Sequence, residues 1–526
     1  MKKVILTWFA ILCVFLSVAG CSGGAGGGSS ASGGGGGGNG GGGGNGGGGG
    51  GTYAVPQIAD VNGGISGCGF AGSTFIVDGS GFGSLTAANA TCSLDFRDAR
   101  TNAVVATASI NYSAGDWNDT YIKGTVPDGL TALTAYKVTV TTPGGTSNAV
   151  NFLVVAHAAF TPAAMLWSQT QSLPAAQEGF PTVVAPIFAS MTSVTTNYIY
   201  TLGGKKVGGK TAYTNIVYCS RLNNATGAIN APWARTTPLP GKRGFSAAVL
   251  ANMFNSPVST YGTVYVLGGL NDQGNVTDTV YYASLNVDGT IAPAGTTGTW
   301  ATTTKLPKAL FAAGAVIFHG RIYVAGGNDA TGSPVTSAYA AQINSDGTLG
   351  AWQALPDMPI TLAYHRLVTA AGYLYAIGGD SASADPLTNL PDASSQGDVY
   401  YNKINFPDGT LVNDTWSKNP IGMGTSREKH SAVVAGGYLL VSGGLYSGAT
   451  NGSHEQSYAA INPDGSLASF IDATGTQTIS GSPTGYNFYN HSAAYFVDDS
   501  GNPHVLILGG ADAVYGTLHS EVWYQH

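Results

Sequence analysis

Three histidines occupy like positions in a repeated pattern. His365 and His430 each lie thirteen residues before the first glycine of a Gly-Gly pair, at 378–379 and 443–444. His491 stands in the matching "HSAA" context before the pair at 509–510, with a longer insertion after it. The corresponding positions in two earlier repeats are Ser246 and Ala313. Imidazole titrates nearest neutral pH and is the commonest metal ligand. Three of them can hold a zinc ion. Arg366 follows His365, and Arg243 and Arg427 lie three residues ahead of Ser246 and His430. Carboxylates at hand to orient an imidazole are Glu178 and Glu428, and with Arg427 they make the set an acid–base reaction would draw on. His365, Arg366, Arg427, His430 and His491 are therefore the candidate ligand-binding residues. The bland alternative is architectural, with His and Arg satisfying backbone groups between packed sheets.

No stronger chemical signature competes. The chain has no HExxH, P-loop, GxSxG elbow or EF-hand loop. Asp78-Gly-Ser-Gly-Phe-Gly83 has Ser84 where a dinucleotide loop needs glycine, so it reads as a β-turn. No catalytic residue, cofactor or resident metal is assigned on this basis, and binding is expected over catalysis. Net charge is −7 over 526 residues, without a basic stripe, which excludes a nucleic-acid footprint. Charged residues are 9% of the chain, against roughly 25% in average soluble domains. Gly, Thr, Asn, Ser and Tyr carry the polar surface instead, the profile of a turn-rich extracytoplasmic β protein.

The elements that must position these residues come from the repeat itself. Six apolar runs end in Gly-Gly: "YIYTLGG", "TVYVLGG", "RIYVAGG", "YLYAIGG", "YLLVSGG" and "HVLILGG", spaced 52 to 66 residues apart. A second Tyr-bearing strand follows most of them, such as "TVYYASL" and "DVYYNKI". Then comes a turn, with Asp-Gly in four copies, whose tolerance of positive φ suits a two-residue hairpin. A strand with Trp233, Trp300, Trp352, Trp416 or Phe470 completes the unit. Excess length falls in loops such as 251–262 and 381–396.

Gly-Gly, Tyr and Trp at these offsets resemble the Kelch repeat. The resemblance implies four-stranded blades and, with six copies, a six-bladed Kelch-type β-propeller over 160–526. Its first strands would line a central channel, so the three imidazoles are expected to face one opening. The last unit ends on "SEVWYQH" without its Trp strand, while an orphan, "MLWSQTQSLP", stands at 165–174. The C-terminal strand should pair with this N-terminal one and close the ring, which removes exposed edges. Six-bladed sialic-acid mutarotases are a Kelch-type precedent for an enzyme. They suggest the alternative of a sugar-processing site using Glu178, Arg427 and Glu428.

Ahead of the propeller, "PQIADVNGG", "FIVDGSGFG" and "VTTPGGTSNAVNFLV" resemble an IPT/TIG domain, which implies an immunoglobulin-like β-sandwich over 53–156. The expected class is all-β. Residues 1–20 read as a signal peptide, with Lys2 and Lys3 before an apolar run. "SVAGC" resembles the lipobox of bacterial lipoproteins, which implies acylation of Cys21, an outer-membrane location facing periplasm or cell surface, and a membrane partner through the acyl chains. Residues 21–52 form a Gly-rich tether with a coil span of about 30 Å. Cys68 and Cys92 are expected to form a disulfide in such a compartment, and Cys219 to be a buried small residue. The expected role is recognition of a protein or glycan through propeller loops.

Overall fold

The computed structural model describes residues 54–525 except 84–91, 113–114, 159, 191–192, 210, 259–260, 293–298, 383–393, 406–407, 447–455, 463, 473–487, 499–500 and 513–515. The signal segment, the Gly-rich tether and Cys21 lie outside the described residues, as does most of the 381–396 loop. Nearly every described element is a β-strand.

Residues 57–154 form two packed sheets. One orders Gln57–Val61, Thr74–Ser80, Tyr121–Thr125 and Ser109–Ile110. The other orders Gly67–Gly69, Val150–Val154, Thr134–Thr142, Ser93–Asp98 and Val104–Thr107. Inward-facing rings fill the gap. Phe75 of the first sheet meets Phe152 and Phe96 of the second at 4.9 and 5.4 Å in edge contacts, the arrangement their quadrupoles favour.

The expected Cys68–Cys92 disulfide does not form; both residues are buried thiols. Strand order explains this. Cys68 pairs with Leu153, whose strand pairs with Thr134–Thr142, and that strand in turn pairs with Ser93–Asp98, next to Cys92. Three strand spacings separate the two cysteines, on the order of 14 Å, and they are further offset along the strands. A disulfide needs Cα atoms within about 7 Å.

Six four-stranded sheets follow, the blades of a Kelch-type β-propeller. Their first strands are Thr182–Ser190, Ala247–Ala251, Gly314–Phe318, Arg366–Ala370, Ser431–Ala435 and Ser492–Val497. The second strand of each blade is buried on both faces, as the apolar runs before Gly-Gly require. The core lies between blades, in apolar clusters such as Leu202, Val217, Val264 and Trp300 across blades one and two. Closure takes the expected form. Trp167–Thr170 pairs antiparallel with Val522–Gln525, Trp167 opposite Gln525 and Thr170 opposite Val522.

Each Asp-Gly turn differs from the expected two-residue hairpin. In blade two, Asn286 N–H donates to Thr290 O and Gly289 N–H to Asn286 O, so three residues form the loop. Only Gly289 has positive φ, at 76°. Asp288 stays right-handed because its carboxylate accepts the Thr290 amide and hydroxyl at 3.0 and 2.6 Å. That is a type I turn followed by a left-handed glycine.

Candidate functional site

The Gly-Gly pairs build the end of the channel. In all six blades the first glycine has φ between 53° and 66° and the second between 93° and 101°. A Cβ on the first would meet a neighbouring blade's backbone, as at Gly268 with Leu310 O at 2.3 Å. A Cβ on the second would strike the side chain entering its own inner strand, as at Gly379 with His365 Cβ at 2.6 Å. Two glycines are thus needed for both conformation and space.

The turn that leads into each inner strand contributes one residue to a ring. Gly179, Phe245, Ala312, Tyr364, Lys429 and Asn490 each stand just before the residue that enters an inner strand, with φ between 52° and 60°. Phe245 N–H donates to Gly179 O, Ala312 to Phe245, Tyr364 to Ala312, Lys429 to Tyr364, Asn490 to Lys429 and Gly179 to Asn490, at 2.8–3.1 Å. Six amides therefore close head to tail around the axis. Their side chains thicken the closure. Phe245 and Tyr364 meet edge to face at 6.2 Å, and Lys429 Nζ lies 5.2 Å from the Tyr364 ring centre.

The predicted histidines come next in the chain, and the structure places them between blades. His365, His430 and His491 are each 1% exposed or less. His365 Cε1 lies 2.7 Å from where a Gly326 Cβ would stand in blade three, and His430 Cε1 2.9 Å from that of Gly378 in blade four. His491 Nε2 meets Ser431 Oγ of blade five at 2.7 Å. Each imidazole reaches back across an interface. Among the described residues, the three do not bring ligand atoms within 4.8 Å of one another. Burial, with Arg366 adding to it, pulls His365 and His491 down to about 3 and His430 well below its ordinary value. All three are neutral wedges.

The remaining candidates divide. Arg366 lines the channel, a cavity of about 170 Å³ whose walls also carry Lys429, His491 and small residues such as Ser246, Ala313 and Ser431. Its Nε donates to His430 O at 2.7 Å and its Nη2 to His491 O at 3.4 Å. No carboxylate lies within ion-pair distance of it among the described residues, and burial lowers it to about 10. Arg427 points away, donating to Thr425 Oγ1 and Ser457 Oγ at 3.0 and 2.8 Å. Arg243 likewise donates to the Tyr281 hydroxyl at 2.9 Å. Glu178 binds Lys205 Nζ at 2.8 Å and Asn490 Nδ2 at 2.9 Å, and Glu428 lies 3.3 Å from Lys429 Nζ. These carboxylates anchor the ring.

The other end of the channel faces the sandwich. Ser66 N–H donates to Met253 O at 3.2 Å in blade two, and Gly63 packs on the His319–Gly320 turn of blade three. Phe70, Ser73 and Thr74 share a cavity of about 360 Å³ with Ala371, Gly437, Val497 and Pro503 of blades four to six.

No protein family and no curated protein matches the chain. Among solved structures it is similar to that of YjhT. The two share 14% identity and superpose with a TM-score of 0.45, over 67% of this chain and 95% of that one. The propeller assignment here stands on the chain's own strand pairing.

Sequence reasoning missed the amide ring and four interblade tyrosines. Tyr200, Tyr265, Tyr323 and Tyr375 donate their hydroxyls to Gly289, Gly347, Gly409 and Gly465 carbonyls of the next blade at 2.6–3.0 Å. The signal was present: a Tyr three residues before the glycine pair in four repeats, each aimed at a glycine-containing turn.

Proposed function

We propose that this chain is a lipid-anchored extracytoplasmic binding protein that recognises a protein or glycan through the loops around the amide ring. The observation that carries this reading is the amide ring, which caps one end of the channel, while the sandwich packs on blades at the other end. Recognition then falls to the loops outside the ring. The 205–212 turn of blade one carries Val207, 77% exposed, and the Asn271–Asn275 turn of blade two presents polar groups on the same face. Cys21 and the Gly-rich tether would hold this surface off an outer membrane. Weakly charged, small and polar loops suit adaptable contacts at low ordering cost.

A second reading has one observation in its favour. Arg366 places a cation on the channel wall without a carboxylate beside it, which suits a small anionic ligand such as an acidic sugar.

The chain isolated from cells, applied to a glycan array and to intact cells, separates the two. Val207→Asp, or replacement of the Asn271–Asn275 turn, should weaken binding at least about tenfold, a loss of ~1.4 kcal/mol, with the melting midpoint unchanged. Loss of binding in Arg366→Gln, with the loop variants neutral, would overturn the loop reading in favour of the channel.

A further inference from the structure

The face between sandwich and propeller holds a cluster that the binding reading does not use. Asp60 and Asp78 are register partners on adjacent antiparallel strands, so their carboxylates face each other across the pair. Like charges placed so are destabilising. His319 of the propeller meets them, its Nε2 3.4 Å from Asp78 Oδ2. Ligand atoms of all three lie within 4.8 Å of one another.

Two further features point to a ligand. Asp78 is 4% exposed, and apart from the Asp60 carboxyl that faces it neither carboxylate oxygen has a hydrogen-bond partner among the described residues. A buried carboxylate left so costs free energy that a cation would recover. The cluster is also rigidly held. His319 sits at φ 49° in a tight turn with Gly320 at 70°. That turn is pinned by Gly320 N–H donating to Asn255 O at 2.7 Å, and a Cβ on Gly63 would lie 2.6 Å from the His319 carbonyl carbon.

We propose that Asp60, Asp78 and His319 bind a divalent transition-metal cation that staples the sandwich to the propeller. Two carboxylate oxygens and one imidazole nitrogen form a mixed donor set suited to Zn²⁺ or Mn²⁺. Such an ion bonds its ligands at about 2.0–2.2 Å, a contraction of the present cluster that side-chain torsions supply. A neutral imidazole offers one ring nitrogen to a cation, and the Nε2 of His319 is the atom turned toward Asp78. The ion would bring the positive charge that the facing carboxylates lack.

The test uses the full chain, stripped with chelator and titrated with ZnCl₂ or MnCl₂ by calorimetry, with metal content read by mass spectrometry. One equivalent of either ion should bind and raise the melting midpoint. Asp78→Asn and Asp60→Asn should each weaken binding by at least roughly 10–100-fold, the loss typical of an outer-shell partner alone. His319→Asn, which tolerates the left-handed backbone, should do the same. Should Asp78→Asn fail to fold by circular dichroism, the more exposed Asp60→Asn decides. His430→Ala is the control and should bind normally. Failure of the wild-type chain to retain either ion, or equal retention by the Asp60 and His319 variants, overturns the site. Loss only in His430→Ala would overturn it too, by moving the ion to the histidine wedges.

Discussion

The amide of Gly179 in blade one donates to the carbonyl of Asn490 in blade six at 2.9 Å, completing the ring around the propeller axis. The same blades are joined at their outer edges by Trp167–Thr170 on Val522–Gln525. Closure is thus made twice, near the axis by main-chain amides and at the rim by a strand shared between termini. Five of the six ring residues are not glycine yet hold left-handed backbone, which costs roughly 1–2 kcal/mol each. The ring's hydrogen bonds and the blades packed behind it hold them there.

That strain is measurable. Ala312→Gly should relieve the left-handed cost and forfeit about 0.5–1 kcal/mol of backbone entropy, for a net gain of up to ~1.5 kcal/mol in urea unfolding. Gly179→Ala should go the other way, because its Cβ would lie 2.7 Å from Phe245 Cε1. A destabilised Ala312→Gly would mean the ring is not strained.

The interblade tyrosines should each contribute through one hydroxyl. Tyr265→Phe keeps the ring but leaves the Gly347 carbonyl without its 2.7 Å donor, at a cost of about 1–3 kcal/mol. Tyr200→Phe removes a like bond at a different interface. The two losses should add, since the sites share no partner. Blades five and six carry Leu440 and Leu506 at this position, so the interface after blade five lacks the hydroxyl and is the place to introduce one.

The histidine wedges predict acid sensitivity. His365, His430 and His491 have folded pKa values below the unfolded value of about 6.5. Between the two values the unfolded chain binds more protons, so stability is full above pH 6.5 and falls as pH drops toward about 3 for His365 and His491. Each histidine adds a slope of up to about 1.4 kcal/mol per pH unit. In the metal-free chain Asp60 and Asp78 are raised by burial and act with the opposite sign, losing stability as pH rises through their folded values. Urea midpoints at pH 7.5 and 5 should show a shallower decline in His365→Gln than in the parent. Equal slopes would place His365 in solvent.

Thiol chemistry checks the strand order of the sandwich. Cys68, Cys92 and Cys219 are buried, and burial pushes Cys219 up to about 11. Iodoacetamide at pH 8 should label none of them in the native chain and all three after denaturation without reductant. Labelling of Cys219 alone would establish the Cys68–Cys92 bridge and contradict the sheet order.

What the sequence determined by itself was the propeller, its blade number and its closure. Those follow from local signals repeated six times: a strand buried on both faces reads as an unbroken apolar run, and a missing Trp strand at one end matches an orphan at the other. The histidine positions were legible too, but not their direction. A residue at the mouth of an inner strand can face the axis or the preceding blade, and only the packed Gly326 and Gly378 show that the gap lies between blades. Cys68 and Cys92 looked paired because both lie in one small domain expected in an oxidising compartment, whereas the order of strands in the sheet sets their distance. Asp60, Asp78 and His319 gave no sequence signal at all. They meet because a strand register sets two carboxylates opposite each other and because one domain docks on a turn of another, both of them contacts that no local pattern encodes.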